Sequence, residues 1–233
     1  MLYSKNNAAK QWILEQLSAR FTNRSAKILD LACGSAWIWK NFVDQHPLIQ
    51  IVGADTDTVA IAKGKGAYQN ESRVELRVAD AQRPLEEGAY DAVIALSAIE
   101  HVVDRKAFLE TVFRALAPGG VAYLNYDDGH FRSTDWKERV MVPVSQLLAM
   151  VGIEGPYMKR VDDVEFQKMA QEVGFRVVGL RSHNIAPLKG LFKDADDESI
   201  AAWYAFEELL GAQLPAERLR SYAYSATLVL EKV

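Results

Sequence analysis

The amino-acid sequence predicts an α/β fold, a doubly wound, mostly parallel seven-stranded sheet with an antiparallel last strand. Three observations predict it. Short apolar runs alternate with amphipathic stretches from residue 8 to residue 126, small or acidic residues end the first three of those runs, and two further strand-like runs lie near the end of the chain. Strands alternating with helices imply βαβ units with helices packed on the sheet.

The elements follow in order. Residues 8–21 carry Ala9, Trp12, Ile13, Leu17 and Phe21 at helical spacing. A buried strand is expected over 26–32, then a small-residue turn, Cys33-Gly34-Ser35-Ala36, and a helix with Ile38, Trp39, Phe42 and Val43 on one side. The second strand, 49–54, ends in Asp55, and Thr56, Asp57 or Thr58 is placed to cap the next helix. Strands are expected at 74–79, ending at Asp80, and at 90–96. A helix over 104–117 shows Phe108, Leu109, Val112 and Leu116 on one face and stops at Pro118-Gly119-Gly120. A fifth strand then runs over 121–126.

The pattern changes after Tyr126. Residues 127–160 read as irregular and aromatic-rich, interrupted by Gly129, Pro143, Gly152 and Pro156. A helix resumes at Asp162, with Glu165 completing a capping box and Gly174 ending it. Strand 175–180 precedes a second irregular stretch, 181–198, and then a helix carrying Ile200, Trp203, Phe206 and Leu210. The last strand, 222–231, alternates Tyr222, Tyr224, Ala226, Leu228 and Leu230 with smaller or polar neighbours and is expected to pair antiparallel with 175–180. The whole of 1–233 reads as one domain, with substrate-binding insertions at about 127–160 and 181–198.

Composition narrows the function classes. Of 233 residues 49% are hydrophobic, the formal net charge is −4, and basic residues are scattered. A nucleic-acid partner calls for a basic face, so none is expected. A single cysteine, Cys33, permits no internal disulfide and no cysteine-based zinc site. The first residues form no apolar signal core, and the run 92–99 is too short to cross a bilayer and is broken by Ser97. The expectation is a cytoplasmic protein without a membrane partner.

Four strand ends carry ligand-binding chemistry, because open α/β sheets bind ligands beyond the carboxyl ends of their strands. At Asp30-Leu31-Ala32-Cys33-Gly34-Ser35-Ala36, small residues let the backbone approach a ligand and Asp30 favours a cationic portion. Asp55, 21 positions after Gly34, suits the two hydroxyls of a ribose. Asp80 suits an exocyclic amine, beside the small Ala81. Leu96-Ser97-Ala98-Ile99-Glu100-His101 follows the central fourth strand and faces the reaction centre.

These motifs resemble those of the class I S-adenosylmethionine-dependent methyltransferases, from about Ile28 to Tyr126. Ile28-Leu29-Asp30-Leu31-Ala32-Cys33-Gly34 is similar to that family's first motif, and Leu116-Ala117-Pro118-Gly119-Gly120 to its turn into the fifth strand. The resemblance implies a Rossmann-like methyltransferase fold and S-adenosylmethionine as cofactor. It places Asp30, Ala32 and Gly34 at the methionine portion, Asp55 with Thr56 at the ribose, Asp80 with Ala81 at the adenine, and Leu96 and Ser97 near the methionine end. The family usually has glycine where Ala32 and Ala36 stand. A nicotinamide oxidoreductase needs G-x-G-x-x-G after the first strand; here those positions hold Ala32, Gly34 and Trp37. A binding protein that keeps the fold without catalysis is the other alternative.

Methyl transfer from a sulfonium requires positioning of the nucleophile and exclusion of water. His101 is the candidate general base, set against a structural role. Asp127, Asp128 and His130 read as a loop lining the acceptor pocket rather than a metal cluster, and Tyr3, Tyr126, Trp136 and Tyr157 as aromatic wall or cap residues. Cys33 has no adjacent base to activate it. The mixed aromatic and polar loops point to a small-molecule acceptor methylated on oxygen or nitrogen.

Overall fold

The computed structural model describes residues 2–5, 7–83, 85–132, 136–153, 155–186, 188–192 and 194–233. The side chains of 130 and 136–139 lie outside the described set, so the readings of His130 and Trp136 fall there too. The described strands are β1 (Ala26–Leu31), β2 (Ile49–Asp55), β3 (Val74–Val78), β4 (Tyr90–Ala95), β5 (Leu116–Asp127), β6 (Phe175–Ile185) and β7 (Ala223–Lys232). They form one sheet in the order β3-β2-β1-β4-β5-β7-β6. The first five strands are parallel, and β7 runs antiparallel between β5 and β6. The expected terminal pair is therefore present, but its last strand is inserted inside the sheet. Burial on both sides explains why Ser225, Ala226, Thr227 and Leu228 are all buried, while Tyr222 lies exposed just outside the strand.

Helices cover both faces. α1 (Ala8–Arg20), the 3-10 turn Trp37–Trp39 with α2 (Lys40–Gln45), and α3 (Thr58–Ala67) cover the face bearing Ile28, Ile51, Ile94 and Tyr123. The opposite face, with Leu29, Leu31, Val93 and Leu124, packs on α4 (Arg105–Ala115) and, after α5 (Trp136–Met150), on α6 (Asp163–Val173). Phe108, Leu109 and Val112 of α4 are fully buried, each worth roughly 1.5–3 kcal/mol of apolar transfer. α7 (Leu188–Leu191), α8 (Asp197–Gln213) and α9 (Ala216–Arg220) surround β6 and β7.

Aspartates start four of these helices. Asp57, Asp104, Asp162 and Asp196 each accept from amides of the first turn, a contribution of about 1 kcal/mol apiece. Of the candidates around residue 57, Asp57 is the cap and Thr56 is exposed.

Four local expectations are corrected. α4 ends at Ala115, and β5 already begins at Leu116, opposite Tyr90. The Pro118-Gly119-Gly120 segment is a bulge within that pairing, where a proline without an N–H is tolerated. Residues 136–150, read as irregular, form α5 with Pro143 inside it. Residues 181–185 extend β6, because β7 offers a longer partner than local sequence reveals. In α8, Ile200 and Trp203 are buried as expected, but Phe206 faces solvent and Tyr204 is buried instead.

Candidate active site

Register brings the strand tips side by side. Leu31 lies opposite Ala54 on one side and Ala95 on the other, Ala95 lies opposite Leu124, and Asp55 opposite Val78. Asp55, Ala32, Leu96 and Asn125 therefore stand on one edge, across the reversal of strand order between β1 and β4 where α/β sheets bind ligands.

Asp55 and Gly34 are joined directly, beside the buried Asp30. Asp55 Oδ2 accepts from the Gly34 amide at 2.7 Å and Oδ1 from the Asp57 amide at 2.8 Å. Asp30 is buried; its Oδ2 accepts from Trp39 Nε1 at 2.7 Å, and Oδ1 has no partner. Burial raises the Asp30 carboxyl from its ordinary 3.8 to about 7, opposed by the Trp39 hydrogen bond and the Lys10 charge and assisted by Asp55. Asp80 stands one strand further out. Its Oδ1 accepts from the Gln82 amide at 2.9 Å, its Oδ2 lies 3.3 Å from Arg83 Nε, and Ala81 beside it is half-buried against the core. Thr56 makes no cap and is exposed.

The turns around these groups are strained. Gly34 adopts φ +55°, and so, without being glycine, do Ala32 at +56°, Ala36 at +57° and Ser97 at +53°. Alanine replaces glycine easily only where φ is negative, which Ala32 does not satisfy. Each such residue costs on the order of 1–3 kcal/mol and is held by its surroundings. Ala36 is fixed by Tyr68, whose hydroxyl donates to its carbonyl at 2.7 Å, and Ser97 by an amide hydrogen bond to Asn125 Oδ1 at 3.3 Å. A Cβ on Gly34 would meet nothing within 4 Å, so its constraint is conformational and the space before it is open.

Beyond β4, the 3-10 turn Ile99–His101 presents two different groups. His101 is exposed, with Nδ1 3.0 Å from the Tyr157 carbonyl oxygen. A carbonyl only accepts, so Nδ1 carries the hydrogen and Nε2 keeps its lone pair. Glu100 is buried; its Oε1 accepts from the Asp127 amide at 3.2 Å and Oε2 has no partner. Burial, with help from the Asp127 charge, raises Glu100 to about 8, so it is largely protonated at neutral pH.

Asp127 and Asp128 part company at the end of β5. Asp127 Oδ2 lies 3.8 Å from Lys189 Nζ. On the same side Lys10, its ammonium 5.5 Å from the Trp37 ring centre, feels Asp30, Lys189 and Asp127, and burial lowers its pKa. Asp128 is fully buried, its Oδ2 2.8 Å from Arg220, 3.3 Å from Arg160 and 3.7 Å from Arg132. Arg220 also reaches Asp163 at 2.7 Å, and Asp163 accepts from the Tyr126 hydroxyl at 2.8 Å. Tyr126 and Tyr157 are therefore buried anchors, Tyr126 in this ionic network and Tyr157 behind His101. Tyr3 pairs with Phe42 and His46. Burial and the charges of Asp30 and Asp55 hold the Cys33 thiol well above its ordinary value, leaving it a poor nucleophile.

Sequence reasoning missed Lys10 and Lys189 and named Glu100 only within the stretch after the fourth strand, without a role of its own. The one signal for Glu100 was its place directly after an apolar run; Lys10 and Lys189 are brought together only by tertiary structure.

The family model described as "Methyltransferase domain" matches residues 29–124, from Leu29 within β1 to Leu124 within β5. An O-methyltransferase of Pyrenophora dematioidea is 27% identical over 79% of this chain and 67% of its own length. A ubiquinone biosynthesis O-methyltransferase of Psychrobacter arcticus is 24% identical over 78% of this chain and 72% of its own. Some other curated relatives are matched over about half their length. The solved S-adenosylmethionine-dependent methyltransferase of Mesorhizobium loti shares the fold, with a TM-score of 0.64 at 16% identity, over 96% of this chain and 97% of that one.

Proposed function

Because this chain belongs to the class I S-adenosylmethionine-dependent methyltransferases, we propose that it methylates an oxygen or nitrogen atom of a small-molecule acceptor. The observation that carries the reading is the Gly34–Asp55 hydrogen bond beside the buried Asp30 at the switch point, with a histidine after β4 whose Nε2 can accept a proton. The residues fit the cofactor: the orphan Asp30 Oδ1 suits an ammonium, and Lys10 nearby suits the carboxylate of the same methionine end. Asp55 and Thr56 would take the ribose, Asp80 and Ala81 the adenine, with Ala32, Gly34, Leu96 and Ser97 lining the methionine portion. When bound, S-adenosylmethionine supplies a methyl already activated by its sulfonium.

The chain's own work is orientation, water exclusion and proton removal. His101 accepts the proton of a hydroxyl acceptor at Nε2, while the Tyr157 carbonyl holds its ring. In this reading residues 127–160 and 181–198, insertions on a single domain, bind the acceptor, and Lys189 and Asp127 are charged groups within them. The relatives' names, the net charge of −4 and the scattered basic residues support a small molecule over a nucleic acid. No helix among the described residues is long and apolar enough to cross a membrane. A cytoplasmic setting is part of the same reading.

The test is release of S-adenosylhomocysteine across a panel of small hydroxyl and amine acceptors, with tRNA and protein substrates alongside. Turnover confined to the macromolecules would refute the proposal. His101→Ala is expected to slow turnover of a hydroxyl acceptor by roughly 10²–10⁴-fold while sparing cofactor affinity. Unchanged turnover would leave His101 a structural residue.

A further inference from the structure

Helix α5 is amphipathic in the opposite sense to a surface helix of a monomer. Two of its described polar side chains turn inward: Ser145 is buried, its hydroxyl accepting from the Met158 amide at 3.2 Å, and Gln146 Nε2 donates to the Met158 carbonyl at 3.1 Å. Its apolar side chains turn outward. Val140, Met141, Val144, Leu147 and Met150, with Val151 and Ile153 just beyond the helix, are between 38% and 82% exposed. Val140, Val144, Leu147 and Val151 recur at helical spacing as one stripe, and residues 140–153 contain no charge at all.

We propose that this outward face of α5 is the centre of an interface with a second copy of the chain. The exposed fractions of these seven residues amount to on the order of 700 Å² of surface along one helix and the turn after it, close to the roughly 800 Å² per partner of a standard interface. A two-fold interface sets the same patch against itself, which a charged patch resists and an uncharged one does not. The alternative cover, an anionic lipid surface, fits less well. Surface-bound helices are rich in Lys and Arg beside their apolar face, whereas residues 140–153 carry no charge and the whole chain has a net charge of −4. The interface also has a consequence for the site. α5 grips Met158, and the adjoining Tyr157 carbonyl holds His101, so the second copy braces the loop behind the catalytic ring. The assembly itself stands independently of the proposed acceptor chemistry.

The experiment is sedimentation equilibrium of the full chain, with Leu147→Glu and Val151→Glu, one turn apart on the exposed stripe. The wild type is expected at twice the chain mass. Either variant, folded with an unchanged circular dichroism spectrum, is expected to weaken association at least a hundredfold, since each places a charge in an apolar contact. A wild type that stays at the single-chain mass overturns the proposal, as does a dimer that both variants leave intact. Flotation of a monomeric wild type with phosphatidylcholine–phosphatidylglycerol vesicles would also overturn it and assign the face to lipid.

Discussion

Replacing Asp128 by alanine is expected to lower the free energy of unfolding by about 3 kcal/mol, the low end of what removing one partner from a buried ion pair costs. The side chain is fully buried and gathers guanidinium groups of Arg132, Arg160 and Arg220 on one oxygen. Without it the half-buried Arg132 and the more deeply buried Arg220 lose their shared counter-ion. Asp163 still neutralises Arg220 and Arg160 is largely exposed, which keeps the loss from being larger. The network ties the end of β5 to α6, α9 and the 157–160 segment behind His101, so the loss should extend to the site. Urea denaturation with an unchanged slope would measure it. A change below about 1 kcal/mol would mean that the arginines relax into water and that Asp128 is dispensable.

Asp30→Asn should have the largest effect on cofactor binding, and its pH dependence identifies the cause. In the ligand-free fold Asp30 has a pKa of about 7, raised from 3.8 mainly by burial. Between those values the folded state holds a proton that the unfolded state has released, so Asp30 removes stability as pH rises through this window and no further above it. A cationic ligand portion favours the ionised form. Affinity for S-adenosylhomocysteine should therefore increase from pH 6 towards pH 8, by up to about tenfold per unit below 7, with proton release on binding. Trp39, Lys10 and Asp55 are the groups that modulate Asp30, and none reverses this sign. The Asn variant should bind on the order of a hundredfold more weakly at pH 8, lose the pH slope, and be more stable than wild type without ligand at that pH. Calorimetry in buffers of different ionisation enthalpy tests all three. A wild type with pH-independent affinity and no proton release would remove Asp30 from the amino-acid end.

The fold was legible where a strand is apolar on both faces or a helix has a clean stripe. β1, β2 and β4 lie close to the expected positions, and α1, α4 and α6 follow from spacing and caps. Where long-range pairing decides, local signals misled. Pro118-Gly119-Gly120 reads as a turn, yet its neighbours pair with β4 around a bulge. Residues 136–150 hid a helix because Pro143 interrupts it and because apolar residues at 141, 142, 148 and 149 blur the stripe of Val140, Val144 and Leu147. Among the candidate site residues, Asp30, Gly34 and Asp55 announced themselves by acidic and glycine positions at strand ends. Glu100, Lys10 and Lys189 did not, since burial and convergence of charge are properties of the folded chain. Asp128 was visible only as a loop carboxylate; its three arginines come from distant segments.

Binding of S-adenosylhomocysteine to wild type and Asp55→Ala, followed by isothermal calorimetry, tests the assignment of these strand tips most directly. Asp55 already holds the Gly34 and Asp57 amides. Its loss should cost roughly 1–3 kcal/mol of binding through hydrogen-bonded groups left unpaired, about 5- to 150-fold in affinity. Equal affinity of the two proteins, both folded, would mean that the adenosine lies elsewhere.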